Sequence, residues 1–240
     1  EARLLTETAR EMKIVSQMGN QGASNPTQVK VKEWFDTDLI GKVSEVKVWT
    51  NRPVWPQGIL RPPTDSAALP KDLNWDQWLG PAPLTEYNPN MHPFNWRGWW
   101  DYGTGALGDM GCHLIDIPFR ALGLHYPTAV ECSIGSVFTR MWQEEYIPEG
   151  CPPSSSVTID FDASEQNNTP VKMVWTDGGI RPSHPDLIPA DEDLGEKGGG
   201  NGVMMIGEKG IITTGTYGMN PKLYRKGEET LVYSQPKNLE

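Results

Sequence analysis

Six short runs in the second half of the chain read as strands, and in two of them apolar and polar residues alternate with the period of two that marks a half-buried strand. The runs fall at 130–138, 156–162, 171–176, 203–206, 211–216 and 223–233, the last broken by Lys226-Gly227. Val157, Ile159 and Phe161 share one face of the second run, and Val171, Met173 and Trp175 one face of the third. Glu208-Lys209-Gly210 and Lys226-Gly227 are hairpin signals between adjacent strands. An earlier run at 43–50 places Val46 and Val48 among Glu45, Lys47 and Trp49. Helical spacing is confined to three places. One holds Ala2, Leu5, Ala9 and Met12; one is opened by Pro26, carries Val29, Val31, Trp34, Phe35 and Leu39 and has Gly41 as its stop; one spans 105–122. The fold class this predicts is α+β: a large, mostly antiparallel sheet with helices on one face.

The 25 Gly and 21 Pro follow no strict period, which excludes a collagen-like chain and calls for many turns and long ordered loops. The segment 51–103 concentrates Pro and Trp with little periodicity, and so long an irregular excursion is usually functional. The acidic, glycine-rich stretch 186–202 reads as a solvated surface loop, with an active-site flap as the other reading.

A net charge of −10 with no basic stripe argues against a nucleic-acid partner. No apolar run approaches the roughly 20 residues that span a bilayer, which argues against membrane insertion. Cys112, Cys132 and Cys151 are an odd number at wide spacing, suited neither to a disulfide framework nor to a zinc motif, and they leave the compartment open. The first helix leads into a short buried strand at 13–18 and a polar turn at 19–22. This reads as the last α-β unit of a parallel sheet whose earlier strands are missing, so residues 1–22 are expected to end one domain and 23–240 to form another.

Chemistry concentrates in 96–116. On one helix, Asp109, His113 and Asp116 stand at i, i+4 and i+7 and share a face. A carboxylate one turn from an imidazole can orient it and raise its pKa, giving a general acid or base near neutral pH. The plainer reading makes Asp109 a helix cap and His113 a satisfied core histidine, and spacing alone leaves both open. Glycines at 103, 105, 108 and 111 permit close approach of other segments, and Trp96, Trp99 and Trp100 could floor a sugar-sized pocket. A metal site is disfavoured, because Cys112 leaves the shared face and no second histidine stands at ligand spacing. Pro118 interrupts the helix, which gives Asp116 an alternative place as the cap of its continuation.

The run Trp96-Arg97, then Gly103-x-Gly105-Ala106-Leu107-x-Asp109-x-Gly111-x-His113-x-x-Asp116, ending at Leu122-Gly123, resembles the substrate-site helix of the glucose-fructose oxidoreductase / inositol dehydrogenase (Gfo/Idh/MocA) family. Leu39 to Val43, Trp78 to Pro83 and Ile206 to Gly210 agree in order, so the resemblance covers nearly the whole chain. It implies an NAD- or NADP-dependent oxidoreductase, with 1–22 the tail of a Rossmann domain and 23–240 the substrate-binding and oligomerisation domain. His113 would be the acid/base for a sugar, cyclitol or polyol hydroxyl, and Asp109 would orient it or hold a substrate hydroxyl. Arg97, Trp99, Trp100 and Asp116 would line the substrate pocket, and Asn20 and Gln21 would stand nearest the nicotinamide. The Rossmann fingerprint, a Gly-x-Gly-x-x-Gly turn at the end of a strand, is not found, and the family's Glu-Lys-Pro motif would fall just before Glu1, so the chain alone is expected to be inactive. Two other readings stand beside it: an NAD-dependent glycosidase of the same family, and a non-catalytic sugar-binding or assembly module. The resemblance further implies a homo-oligomer, dimer or tetramer, through an open sheet face on which Trp49, Met173 and Trp175 would lie uncovered; in the other reading the acidic loop folds over that face and leaves a monomer. The compartment it implies is the cytoplasm, or the periplasm if a twin-arginine leader precedes the chain.

Overall fold

The computed structural model describes residues 2–17, 19 and 21–233. In chain order these form α1 (Ala2–Glu11), α2 (Pro26–Asp36), β1 (Val43–Trp49), α3 (Trp75–Leu79), α4 (Gly105–Leu114), α5 (Asp116–Ala121), β2 (Pro127–Ile134), β3 (Val137–Arg140), β4 (Gln143–Glu145), β5 (Ser155–Phe161), β6 (Val171–Thr176), β7 (Gly202–Gly207), β8 (Gly210–Thr214), β9 (Lys222–Arg225) and β10 (Leu231–Val232). Eight strands make one sheet in the order β10-β9-β8-β7-β1-β6-β5-β2, while β3 and β4 pair apart from it. Within the large sheet β1 and β6 run parallel and the other pairings are antiparallel. The α+β class expected from the alternation is the one found.

Helices α2, α4 and α5 cover one face. Val31, Trp34 and Phe35 of α2 and Met110 and Leu114 of α4 are buried in one cluster with Val46, Met173, Trp175 and Met205 of the sheet. Removing such side chains from water is the main force holding the layers together. Pro26 stands at the first helical position of α2, and Asn25 Oδ1 accepts from the Thr27 amide at 3.1 Å. The helix stops before Gly41: the Thr37 amide donates to the Glu33 carbonyl, and Gly41 at φ 67° belongs to the turn into β1. At the start of β1, Asn167 replaces a neighbouring strand. Its Oδ1 accepts from the Val43 amide at 2.9 Å and its Nδ2 donates to the Val43 carbonyl at 2.7 Å.

Several expectations are corrected. Residues 14–17 are exposed and form no strand, because no described strand lies beside them to share a ladder; Met18 lies outside the described residues. The helix expected over 105–122 divides at Ile115, where Pro118 removes the amide that would have continued the ladder. The run 130–138 divides into β2 and the separate β3–β4 hairpin. Trp49, Met173 and Trp175 are not uncovered: they are 1%, 0% and 0% exposed. Met173 and Trp175 point into the helix-side core, and Trp49 packs with Ile188, Met204, Ile211 and Tyr224 on the other face. The loop within 186–202 supplies that cover. Ile188 is its apolar anchor, Glu192 pairs with Lys222 and accepts from the Tyr224 hydroxyl at 3.1 Å, and Glu196 accepts from Asn201 at 2.8 Å. It is a packed strap over the sheet and not a solvated loop, because its apolar anchors outweigh its acidic composition. Most of the rest of that face, with Glu45, Lys47, Thr158 and Lys172 around Val174, is polar. Among the described residues no helix is long and apolar enough to cross a membrane.

Candidate functional site

The segment 51–103 builds a small core of its own. Trp75, Leu79, Met91 and Trp99 are buried together, and Trp75 stacks on Trp78 with centroids 4.6 Å apart and planes 6° from parallel. This cluster ends in a 3-10 turn, Asn95–Gly98, which delivers Arg97 to the start of α4. Gly103 makes the approach possible: a Cβ there would lie 2.7 Å from the Arg97 Cα. Gly105, at φ 63°, likewise lies against Gln57 and Cys151. Gly108 and Gly111 do not serve such an approach, since their nearest contacts are side chains within or next to α4 itself.

Arg97 is held from three sides. Its Nε donates to Asp109 Oδ1 at 2.7 Å, its Nη1 donates to the Phe94 carbonyl at 3.0 Å, and its guanidinium lies 4.4 and 4.5 Å from the Phe94 and Trp96 rings. Asp109 is therefore neither a cap nor hydrogen-bonded to His113; its partner is Arg97. The ring of His113 is only partly covered. Its centroid lies 4.8 Å from that of Tyr217 in an edge-to-face contact, and its Nδ1 lies 3.5 Å from Cys112 Sγ. Burial pushes the His113 pKa below the ordinary 6.5, outweighing the Asp109 carboxylate, which acts in the opposite sense. The expected rise is thus reversed, and the imidazole is predominantly neutral at pH 7. Burial, then Asp109, raises the Cys112 thiol.

Tyr217 is the residue that sequence reasoning missed. It stands in a 3-10 turn, Thr216–Gly218, at φ 60°, and its ring fills the space beside Gly22, where a Cβ would meet Tyr217 Cδ1 at 2.5 Å. Through Tyr217 the turn Gln21–Ser24 is brought beside α4. Glu196 of the strap accepts from the Thr216 amide at 3.2 Å, fixing the turn from the other side. The only hint in the sequence was the pair of flanking glycines, Gly215 and Gly218.

The other candidates separate. Trp99 is 3% exposed and donates its indole N–H to the Leu60 carbonyl at 3.0 Å, which makes it a core residue of the 51–103 segment. Trp100 is exposed and lines a recess of about 550 Å³ with Trp78, Trp96 and Tyr102, away from the residues that touch His113. Asp116 sits in the first turn of α5 without capping it, 3.8 Å from Arg120 Nη1, with one buried carboxylate oxygen lacking a hydrogen-bond partner. Arg120 in turn donates to the Ala23 carbonyl and to Gln28 Oε1. Gln21 opens its 3-10 turn, and Asn20 lies outside the described residues. Among the described residues no three His, Cys, Asp or Glu side chains converge to hold a metal ion. Arg97, Asp109, His113 and Tyr217 thus form a half-open polar surface with a neutral base, an ionised pair and an aromatic wall. Such a surface can orient a hydroxyl and accept its proton.

Residues 30–135 match the family described as "Oxidoreductase family, C-terminal alpha/beta domain", a span that contains Arg97, Asp109 and His113. Among solved structures, a super-repressor mutant of Gal80p from Saccharomyces cerevisiae is similar at a TM-score of 0.54 and 13% identity, over 100% of this chain and 51% of that one. An NAD-binding oxidoreductase from Klebsiella pneumoniae is similar at 0.53 and 15%, over 97% and 50%. An inositol dehydrogenase homolog from Azotobacter vinelandii, complexed with NADH and myo-inositol, is similar at 0.52 and 12%, over 97% and 45%. At these identities the likeness shows the fold, and this chain spans about half the length of each. No curated protein matches the sequence.

Proposed function

We propose, from the premise that residues 30–135 carry the C-terminal alpha/beta domain of an oxidoreductase family, that this chain is the substrate wall of an NAD- or NADP-dependent dehydrogenase of a sugar, cyclitol or related polyol. The observation that carries the reading is the juxtaposition of the neutral imidazole of His113 with the Arg97–Asp109 pair on one helix face, 4.8 Å from the Tyr217 ring.

The one Gly-x-Gly-x-x-Gly string in the sequence, residues 103–108, enters its helix from an irregular segment and not from a strand, so the strand-turn-helix of a dinucleotide cradle is not built there. The residues that fit one edge of such a site are Gly22, which presents bare backbone beside Tyr217, and His113 beyond it. When bound, the nicotinamide would accept the hydride from the substrate carbon. The chain's own residues do the rest. His113 takes the hydroxyl proton as the carbon–oxygen bond gains double-bond character. Asp109, kept in place by Arg97, accepts a hydrogen bond from a neighbouring substrate hydroxyl, and Tyr217 limits how far the sugar ring can shift. Residues 1–22 belong to the cofactor domain in this reading, which the exposure of Leu4, Leu5, Met12 and Ile14 supports, because that apolar stripe has no cover among the described residues.

Both a regulator and dehydrogenases share the fold, so the reading rests on side chains and not on architecture. It is tested with the full-length protein against a panel of sugars, cyclitols and aryl glycosides. NAD(P)H formed in step with substrate is the expected result. Aglycone release without net NADH would assign a glycosidase, and binding without either product would assign a module.

A further inference from the structure

We propose that the β3–β4 hairpin is an arm that clasps a second copy of this chain, seating Trp142 at its tip in the partner's apolar cavity beneath β2. This does not depend on the dehydrogenase reading. Among the described residues the hairpin pairs only with itself, and a lone two-stranded hairpin is marginal in water. It nonetheless displays Phe138, Met141, Trp142 and Tyr146, which are 59%, 85%, 90% and 69% exposed. Clustered exposure of this kind marks an association surface.

The complementary hole lies on the same molecule. A mostly apolar cavity of about 240 Å³ is bounded by Cys132 and Ile134 of β2, Val137 and Tyr146 at the hairpin base, and Cys151 and Pro153. A cavity of about 150 Å³ holds benzene, so this one has room for an indole. Charge agrees with shape: Arg140 adjoins the tip, and Glu144 and Glu145 line the cavity. The cavity abuts the hairpin base and the tip stands about four residues further out, roughly 13 Å along a strand. Two arms laid side by side in opposite directions therefore bring each tip to the other's base, a closed two-fold arrangement. Covering the four exposed side chains hides about 600 Å² per copy, or about 1,200 Å² in all, at the lower edge of stable interfaces. On the sheet face opposite the helices Trp49 is buried beneath the strap and Glu45, Lys47, Thr158 and Lys172 are polar, which makes that face the weaker candidate.

Sedimentation velocity of this chain across the micromolar range, together with alkylation of Cys132 by iodoacetamide, tests the clasp. A mass near twice 26.7 kDa is expected, with Cys132 alkylated about tenfold more slowly at concentrations where the dimer prevails. Trp142→Glu should weaken association about 100-fold or more and make the alkylation rate independent of concentration. Met141→Glu should act in the same direction, and circular dichroism confirms that each variant is folded. Lys172→Glu, on the polar sheet face, should change neither readout. A mass of 26.7 kDa at every concentration overturns the proposal, as does a dimer indifferent to both tip variants or one lost on Lys172→Glu alone.

Discussion

His113 owes its chemistry to two neighbours acting against each other. Partial burial disfavours its charged form more strongly than Asp109 favours it, so the ring stays neutral to lower pH than a free histidine does. Two pH effects follow, with signs that can be worked out. If His113 is the base of the proposed dehydrogenase, the ring is active when unprotonated, so the acid limb of its kcat/KM should fall at a pH below 6.5. The same depressed pKa means that the unfolded chain binds the proton more readily, so this residue's contribution to stability is present above the ordinary pKa and lost as pH falls through the folded value. His113→Asn in the proposed dehydrogenase should lower kcat by about 10²- to 10⁴-fold while leaving the Tm close to that of the parent. A fall in Tm with undiminished turnover would return His113 to the packing role. Asp109→Asn should do less to turnover, because Asp109 bonds to Arg97 and acts on the imidazole only through space.

Asn167 shows at the scale of elements how a single amide takes the place of a strand. Its side chain satisfies both polar groups of Val43 from a loop 124 residues away in sequence. Asn167→Ala leaves those buried groups unpaired, and a loss of about 1–3 kcal/mol is expected from urea unfolding with the m-value unchanged. Nothing in local sequence could have announced this contact. What was legible were the strands, because Val157, Ile159 and Phe161 or Val171, Met173 and Trp175 alternate only if one face is buried. The face itself was legible for Val46 and Val48 but not for Trp49, whose cover comes from Ile188 far along the chain. The site was half legible. The spacing of Asp109 and His113 placed them on one helix, yet Arg97 as partner of Asp109 and Tyr217 as wall of His113 depend on tertiary contacts that spacing does not encode. The aromatic run 96–100 misled in part for the same reason: Trp99 turned inward to the core of its own segment, and Trp100 faced a different recess.

In the proposed reading the whole molecule is a sheet that offers one wall of a site and leaves the nucleotide cradle to another domain. Calorimetry of this chain with NADH should accordingly detect no micromolar binding; a stoichiometric complex at that affinity would place a cofactor site within residues 1–240 and sink the division of labour drawn above. The position of β1 between β6 and β7 carries a consequence for biosynthesis. β1 ends at Trp49 while β6 begins at Val171, so 122 residues are made before the parallel neighbour exists. At about 5–20 residues per second the ribosome takes roughly 6–24 s over that interval. For most of it, Val46 and Val48 stand outside the exit tunnel with neither of their final neighbours available, and such a segment suits a holding chaperone. Chains stalled before residue 171 should therefore leave the β1 amides open to hydrogen exchange, and chains stalled once β7 has cleared the tunnel should protect them. The first strand of this sheet to be made waits at its centre for two neighbours made long after it.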